Sequence, residues 1–135
     1  MILEPAMVRS FHDGNLVAYE VDCETRRIRL VIRPEGEAAR QSVMFTGVQG
    51  YHFQHDAFGN IIFALEEVAV DTILAEHAGQ IAETDRMAGR PGAWSEDPTT
   101  AAQALAAQGV RGFVLSASFG LSGWILAGDV VVTAA

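Results

Sequence analysis

The feature that most constrains this chain is a hairpin whose register can be read directly from the residues. Two strand-like runs, Asn15–Asp22 and Arg27–Arg33, flank the loop Cys23-Glu24-Thr25-Arg26. Setting Asp22 against Arg27 puts Glu20 opposite Arg29 on one face. The other face then pairs Val21 with Ile28, Tyr19 with Leu30 and Val17 with Ile32. A slip of one residue would turn every apolar side chain to the wrong side, so one register serves both faces. A salted outer face over an apolar inner face defines a half-buried antiparallel sheet and leaves the chemistry open.

The rest of the chain extends that sheet. After a turn at Pro34-Glu35-Gly36-Glu37-Ala38, a third strand starts at Gln41–Thr46 with Val43 and Phe45 inward; Gly47 and Gly50 bend it before it resumes at 51–55. A loop at 56–60 would then pair His55 with Ile61, Phe53 with Phe63 and Tyr51 with Leu65, aromatic against aromatic on the buried side, with the fourth strand running to Val68. Asp71 is placed to cap a helix whose apolar positions are Ile73, Leu74, Ala78 and Ile81; the segment 84–96 reads as a surface loop anchored by Trp94. The second helix has the clearest limits, with Asp97 as N-cap, Pro98 in the first turn and Gly109 just past the end. Strands at Arg111–Phe119 and 123–132 follow, with Phe113, Leu115 and Ala117 inward on the first and Trp124, Leu126 and Val130 inward on the second. The expected fold is α+β: a mainly antiparallel sheet of about six strands, curling toward a partial barrel at the Gly47–Gly50 bend, with two helices between strands four and five.

Composition sets limits on function. A length of 135 residues fits a single domain, 1–135, able to bury a core without staples. The lone cysteine, Cys23, cannot form an internal disulfide, and residues 1–10 lack the layout of a signal peptide, so a cytoplasmic setting is expected. The longest uncharged run, 112–128, has 17 residues, among them three serines and four glycines, which suits a buried hairpin and not a membrane helix. The net charge of −8 opposes nucleic-acid binding. All nine cations are arginine, and of the five between Arg26 and Arg40, only Arg26, Arg33 and Arg40 are left over by the hairpin register.

Candidate chemistry is sparse. His12 and Asp13 precede the first strand, and His52, His55 and Asp56 lie near the 56–60 loop; a meander keeps these two groups apart, and no metal site or cofactor is expected from them. Gly120-Leu121-Ser122-Gly123 is one residue short of a nucleophile elbow and sits between two strands, where an elbow needs a strand followed by a helix. Cys23 stands between Asp22 and Glu24, which oppose thiolate formation. Neither a P-loop nor a dinucleotide fingerprint is present. What remains is surface recognition, and the residues proposed to meet a partner are Phe11, His12, Asp13, Tyr51, Phe58 and Trp94.

Three stretches taken together carry a resemblance: Phe11-His12-Asp13 leading into Val17–Asp22 of the hairpin; Met44-Phe45-Thr46-Gly47-Val48 followed by Gly59-Asn60-Ile61-Ile62; and the run from Ser116 through Gly120-Leu121-Ser122-Gly123 to Trp124. The combination resembles small uncharacterised bacterial domains that begin with an F-H-D element, some of them placed among the immunity proteins of polymorphic toxin systems. The resemblance implies a non-enzymatic domain that binds and neutralises a protein partner, a basic one given the acidic charge. The competing expectation is a small hydrolase or ligand-binding enzyme with its site near His52, His55 and Asp56. A third is a homodimer formed through a free sheet edge.

Overall fold

The structure, a computed structural model, describes residues 11–89 and 92–135, apart from the side chains of Ala93 and Ser95. The expectations for residues 1–10 and for Arg90 and Pro91 lie outside the described residues. The described chain forms β1 (Asn15–Asp22), β2 (Arg27–Arg33), β3 (Gln41–Thr46), β4 (Gly50–Gln54), β5 (Asn60–Val68), α1 (Val70–Glu76), α2 (Ala78–Met87), α3 (Ala93–Glu96), α4 (Pro98–Ala107), β6 (Arg111–Phe119), β7 (Ser122–Ala127) and β8 (Asp129–Ala134). This is the expected α+β class, and every strand pairing is antiparallel.

The strand count differs from the expected six. Eight strands form one sheet in the order β4-β7-β6-β5-β1-β2-β3-β8. Glycines account for the difference, because each of two long strands is broken by a bend. Gly47, at φ 62°, separates β3 from β4, and Gly128 separates β7 from β8. The two bends face each other: the Gly128 amide donates to the carbonyls of Thr46 (3.0 Å) and Gly47 (3.2 Å), and the Gln49 amide donates to Leu126 (2.8 Å). The β3–β8 and β4–β7 ladders therefore run on from one another. The two ends of the strand order are carried by the same two chain segments, and the sheet curls back on itself.

The hairpin register holds from Asp22↔Arg27 through Tyr19↔Leu30. Beyond that, a bulge at Val17 brings Leu16, and not Val17, opposite Ile32. Leu16, Ile28, Leu30 and Ile32 are buried, whereas Tyr19 stays 39% exposed.

A larger correction concerns β4. It does not pair with β5; it lies against β7, with Tyr51↔Ile125, His52↔Trp124 and Phe53↔Gly123. A Cβ at Gly123 would collide with the His52 carbonyl, so the bare glycine is what allows β4 to approach. Freed of β4, β5 pairs with β6 instead, and Phe63 is 55% exposed where cross-strand packing against Phe53 had been expected.

Two apolar cores result. The inner one gathers Phe11, Leu16, Ile28, Leu30, Ile32, Val43, Phe45, Leu65, Phe113, Leu115, Ile125 and Val130 inside the curled sheet. The outer one packs Ile73, Leu74, Ile81, Ala102 and Leu105 of the helices against Trp124 and Leu126. Strand β7 is thus buried on both faces, with Ile125 and Ala127 turned inward and Trp124 and Leu126 turned to the helices. Trp124 and Leu126 had been expected on the same side as Phe113 and Leu115; they are on the opposite one.

The helical segments number four among the described residues. His77, at φ −110° and ψ 16°, breaks the single helix expected after β5 into α1 and α2, and its ring lies 6.0 Å from that of Trp124. The N-cap of α1 is Ala69, which offers no side-chain bond, so Asp71 lies inside the first turn and does not cap it. Helix α4 has the expected limits: the Asp97 carboxylate accepts from the Thr100 amide (3.2 Å) and hydroxyl (2.8 Å), and Gly109 follows at φ 82°. No helix among the described residues is long and apolar enough to cross a membrane.

A candidate recognition site at an open seam

Strand β1 is paired with β2 along its whole length but touches β5 only through Asn15↔Ile61 and Leu16↔Asn60. From Val17 to Asp22 its second edge meets no strand among the described residues. The bulge at Val17 marks the place where the two strands part. Two clefts adjoin this strand. One, of about 750 Å³, is lined by the consecutive residues Asn15 to Tyr19, by Arg33, and by Asp56 to Asn60. The other, of about 430 Å³, is lined by Val21 to Cys23, by Arg26 to Ile28, and by Val48 to Tyr51. Side chains alternate across a strand, so a cleft lying over one face would be lined by every second residue. Lining by five consecutive residues of β1 places the first cleft along the backbone edge of that strand, whereas the second lies at the hairpin end, between the β1–β2 loop and the β3–β4 bend.

An aromatic row lies between the clefts. The Tyr19 and Phe53 rings are 6.3 Å apart in an edge-on arrangement, and Phe53 and Tyr51 are 5.3 Å apart. The Tyr19 hydroxyl donates to Asp56 Oδ2 at 3.1 Å, crossing the seam from β1 to the β4–β5 loop. Desolvation, and then the carboxylate of Asp56, hold the Tyr19 phenol above the ordinary tyrosine value, so it remains a donor. Beside it, Phe58 is wholly exposed at the tip of that loop.

The loop that presents Phe58 is firmly held. Asn60 is only 5% exposed; its Oδ1 accepts from the amides of Leu121 (2.8 Å) and Ala57 (3.2 Å), and its Nδ2 donates to the Ala57 carbonyl (2.7 Å). One buried amide therefore ties the loop to the β6–β7 turn. Gly120, at φ 95°, passes so close to Asn60 that a Cβ there would overlap it. His55 at φ 61° and Gly59 at φ 87° supply the loop's left-handed turns.

At the hairpin tip, Asp22 accepts from the amides of Thr25 (3.0 Å) and Glu24 (3.1 Å), and the bonds from Thr25, aided by Arg27, hold its carboxyl below the usual range. The tip is tied to the β3–β4 bend by the Val48 amide, which donates to Arg26 at 3.1 Å.

The residues expected to meet a partner do not form one surface. Tyr51 and Phe58 lie at the seam and are exposed. Phe11 must be withdrawn: it is fully buried in the inner core. Trp94 is half-buried against the outer core, its ring held over Gly50 so closely that a Cβ there would strike it. His12 and Asp13 belong to a second, separate patch. The His12 Nδ1 bonds the Phe63 carbonyl at 2.8 Å and its ring meets Phe63 edge-on at 5.4 Å, while Nε2 lies 3.5 Å from Asp13. Ile61 and Phe119, opposite each other on β5 and β6, are also exposed.

Sequence reasoning missed the Tyr19–Asp56 bond, the Asn60 staple and the exposure of Phe63 and Phe119. Each depends on which strand neighbours which. Among the described residues, no three or more of His, Cys, Asp and Glu stand close enough to share a metal ion, and Asp56 is bonded to Tyr19. The chain matches no protein-family model, no curated protein and no solved structure.

Proposed function

We propose that this protein is a non-enzymatic, cytoplasmic recognition domain that binds a protein partner at the seam, through Tyr51, Tyr19 and Phe58 flanked by Asp56. The role is of the kind its resemblance to immunity-type domains implies. The observation that carries this reading is Phe58. A wholly exposed phenylalanine, on a loop held in place by a buried asparagine, adds little to the fold and suits an anchor that is buried on association. Two half-exposed tyrosines nearby supply amphipathic contact area at little conformational cost. The net charge of −8 favours a basic partner by long-range steering.

The test is quantitative capture from the source cytoplasm with the wild type, Phe58→Asp and Tyr51→Asp, all shown to be equally folded. A partner held by the wild type and lost from both variants supports the reading. Failure to retain any partner, or equal retention by all three, overturns it.

A further inference from the structure

We infer that the larger cleft, of about 750 Å³, binds a short zwitterionic peptide of about three residues, its carboxylate on Arg33 and its ammonium on Asp56. This ligand is a different occupant from the protein partner, although Tyr19, Phe58 and Asp56 line both sites. The volume is that of a small-molecule site, and so is the make-up of the walls. Leu16 to Ala18 and Ala57 to Phe58 give an apolar surface, against which a few polar groups converge.

Two of those polar groups carry opposite charges and do not neutralise each other. The guanidinium of Arg33 is half-buried, yet among the described residues it has neither an ion-pair nor a hydrogen-bond partner. Partly withdrawn from water with its donors unused, it favours an anion beside it, and a carboxylate fits its fork. Asp56 accepts from Tyr19 at Oδ2, and no described residue donates to its Oδ1, which is left for an ammonium. An anionic ligand would meet Asp56 and a cationic one Arg33, so a molecule bearing both charges suits the cleft best.

Spacing then sets the ligand's length. Arg33 faces Asn15 in the β1–β2 ladder, and Asp56 is tied to Tyr19. Asn15 and Tyr19 are four residues apart, which at ~3.3 Å per residue separates the two ends of the cleft by roughly 13 Å at the level of the backbone. A single α-amino acid, with its charges ~3 Å apart, cannot reach both ends, whereas three extended residues span about 10 Å. The long Arg33 side chain, which lines the cleft, closes the rest. Asn15, whose side-chain amide has no partner among the described residues, stands beside Arg33 to bond the adjoining peptide group, and the exposed Phe58 ring packs an apolar side chain.

The experiment titrates the purified full chain by isothermal calorimetry with alanyl-leucyl-alanine, with its N-acetylated and C-amidated forms, and with free leucine. Expected is saturable binding of the free tripeptide, weakened about tenfold or more by blocking either end, as for the loss of one charge-assisted hydrogen bond, and not reproduced by leucine. In Arg33→Gln the free and C-amidated peptides should bind equally, and in Asp56→Asn the free and N-acetylated peptides should do so. Amide NMR spectra matching the wild type establish that both variants are folded. No binding of the tripeptide at millimolar concentration, equal binding of free and blocked peptides by the wild type, or leucine binding as tightly as the tripeptide overturns the inference. No partner protein is present in this titration, so each of these results leaves the capture experiment with Phe58→Asp to decide the recognition reading on its own.

Discussion

The Tyr19 hydroxyl reaches Asp56 Oδ2 at 3.1 Å, joining β1 to a loop 37 residues further along the chain across a gap that no strand fills among the described residues. This bond spans the seam beside the ring contact of Tyr19 with Phe53, and removing it should loosen the seam without unfolding the core. Tyr19→Phe keeps the ring and loses the bond. Because the pair is exposed, the expected cost is at the low end of the range for a hydrogen bond, about 0.5 kcal/mol, measured by urea unfolding.

Desolvation of Tyr19, and then its bond to Asp56, give a pH signature. Folding raises the Tyr19 pKa, so its stabilising contribution is complete below the unfolded-state value and is lost as pH rises through the folded-state value. Absorbance titration should show an ionisation above the ordinary tyrosine range that is missing in Tyr19→Phe. A wild type with no ionisation above that range would contradict it.

At the acid end the sign reverses. Hydrogen bonds from Thr25 to Asp22 and from Thr100 to Asp97 hold both carboxyls below the ordinary range. Their contribution is present above the unfolded-state pKa and disappears as pH falls through the lowered folded-state values. Asp97→Asn should flatten the acid limb of the stability curve, measured by thermal melts across that range.

Asn60 should be the most sensitive polar position. Asn60→Ala leaves the Leu121 amide without its buried acceptor and frees the Phe58 loop, at an expected cost of about 1–3 kcal/mol in denaturant unfolding. Phe58→Ser, by contrast, should change stability by less than about 0.5 kcal/mol, since the ring is wholly exposed. If Phe58→Ser is strongly destabilising, the ring is part of the core and not an anchor.

What was legible in the residues is what short-range physics decides. Asp97, Pro98 and Gly109 delimit α4 because caps and φ restrictions act within a turn. The β1–β2 register follows from a tight loop between complementary runs. The choice of β7 over β5 as the neighbour of β4 was not legible, because it turns on Gly123, some 70 residues away, having no side chain to obstruct the His52 carbonyl. The bulge at Val17 escaped notice for a related reason: it interrupts the β1–β2 ladder where β1 parts from β5, and that parting is set by the curl of the whole sheet. The candidate site shares this limit. Phe58 and Tyr51 could be picked out as aromatic residues in and beside a loop, yet their meeting with Tyr19 and Asp56 is a product of topology. Gly123→Ala tests that topology: the collision with His52 should strip β4 from β7 and expose Trp124, seen as a red shift of its fluorescence.

Amide exchange across β1 in the free protein tests the open seam most directly. The account predicts alternation from Val17 to Asp22, with amides bonded to β2 protected and their neighbours, facing the seam, exchanging as fast as loop amides. Uniform protection along those residues would mean that the edge is already occupied, and would contradict it.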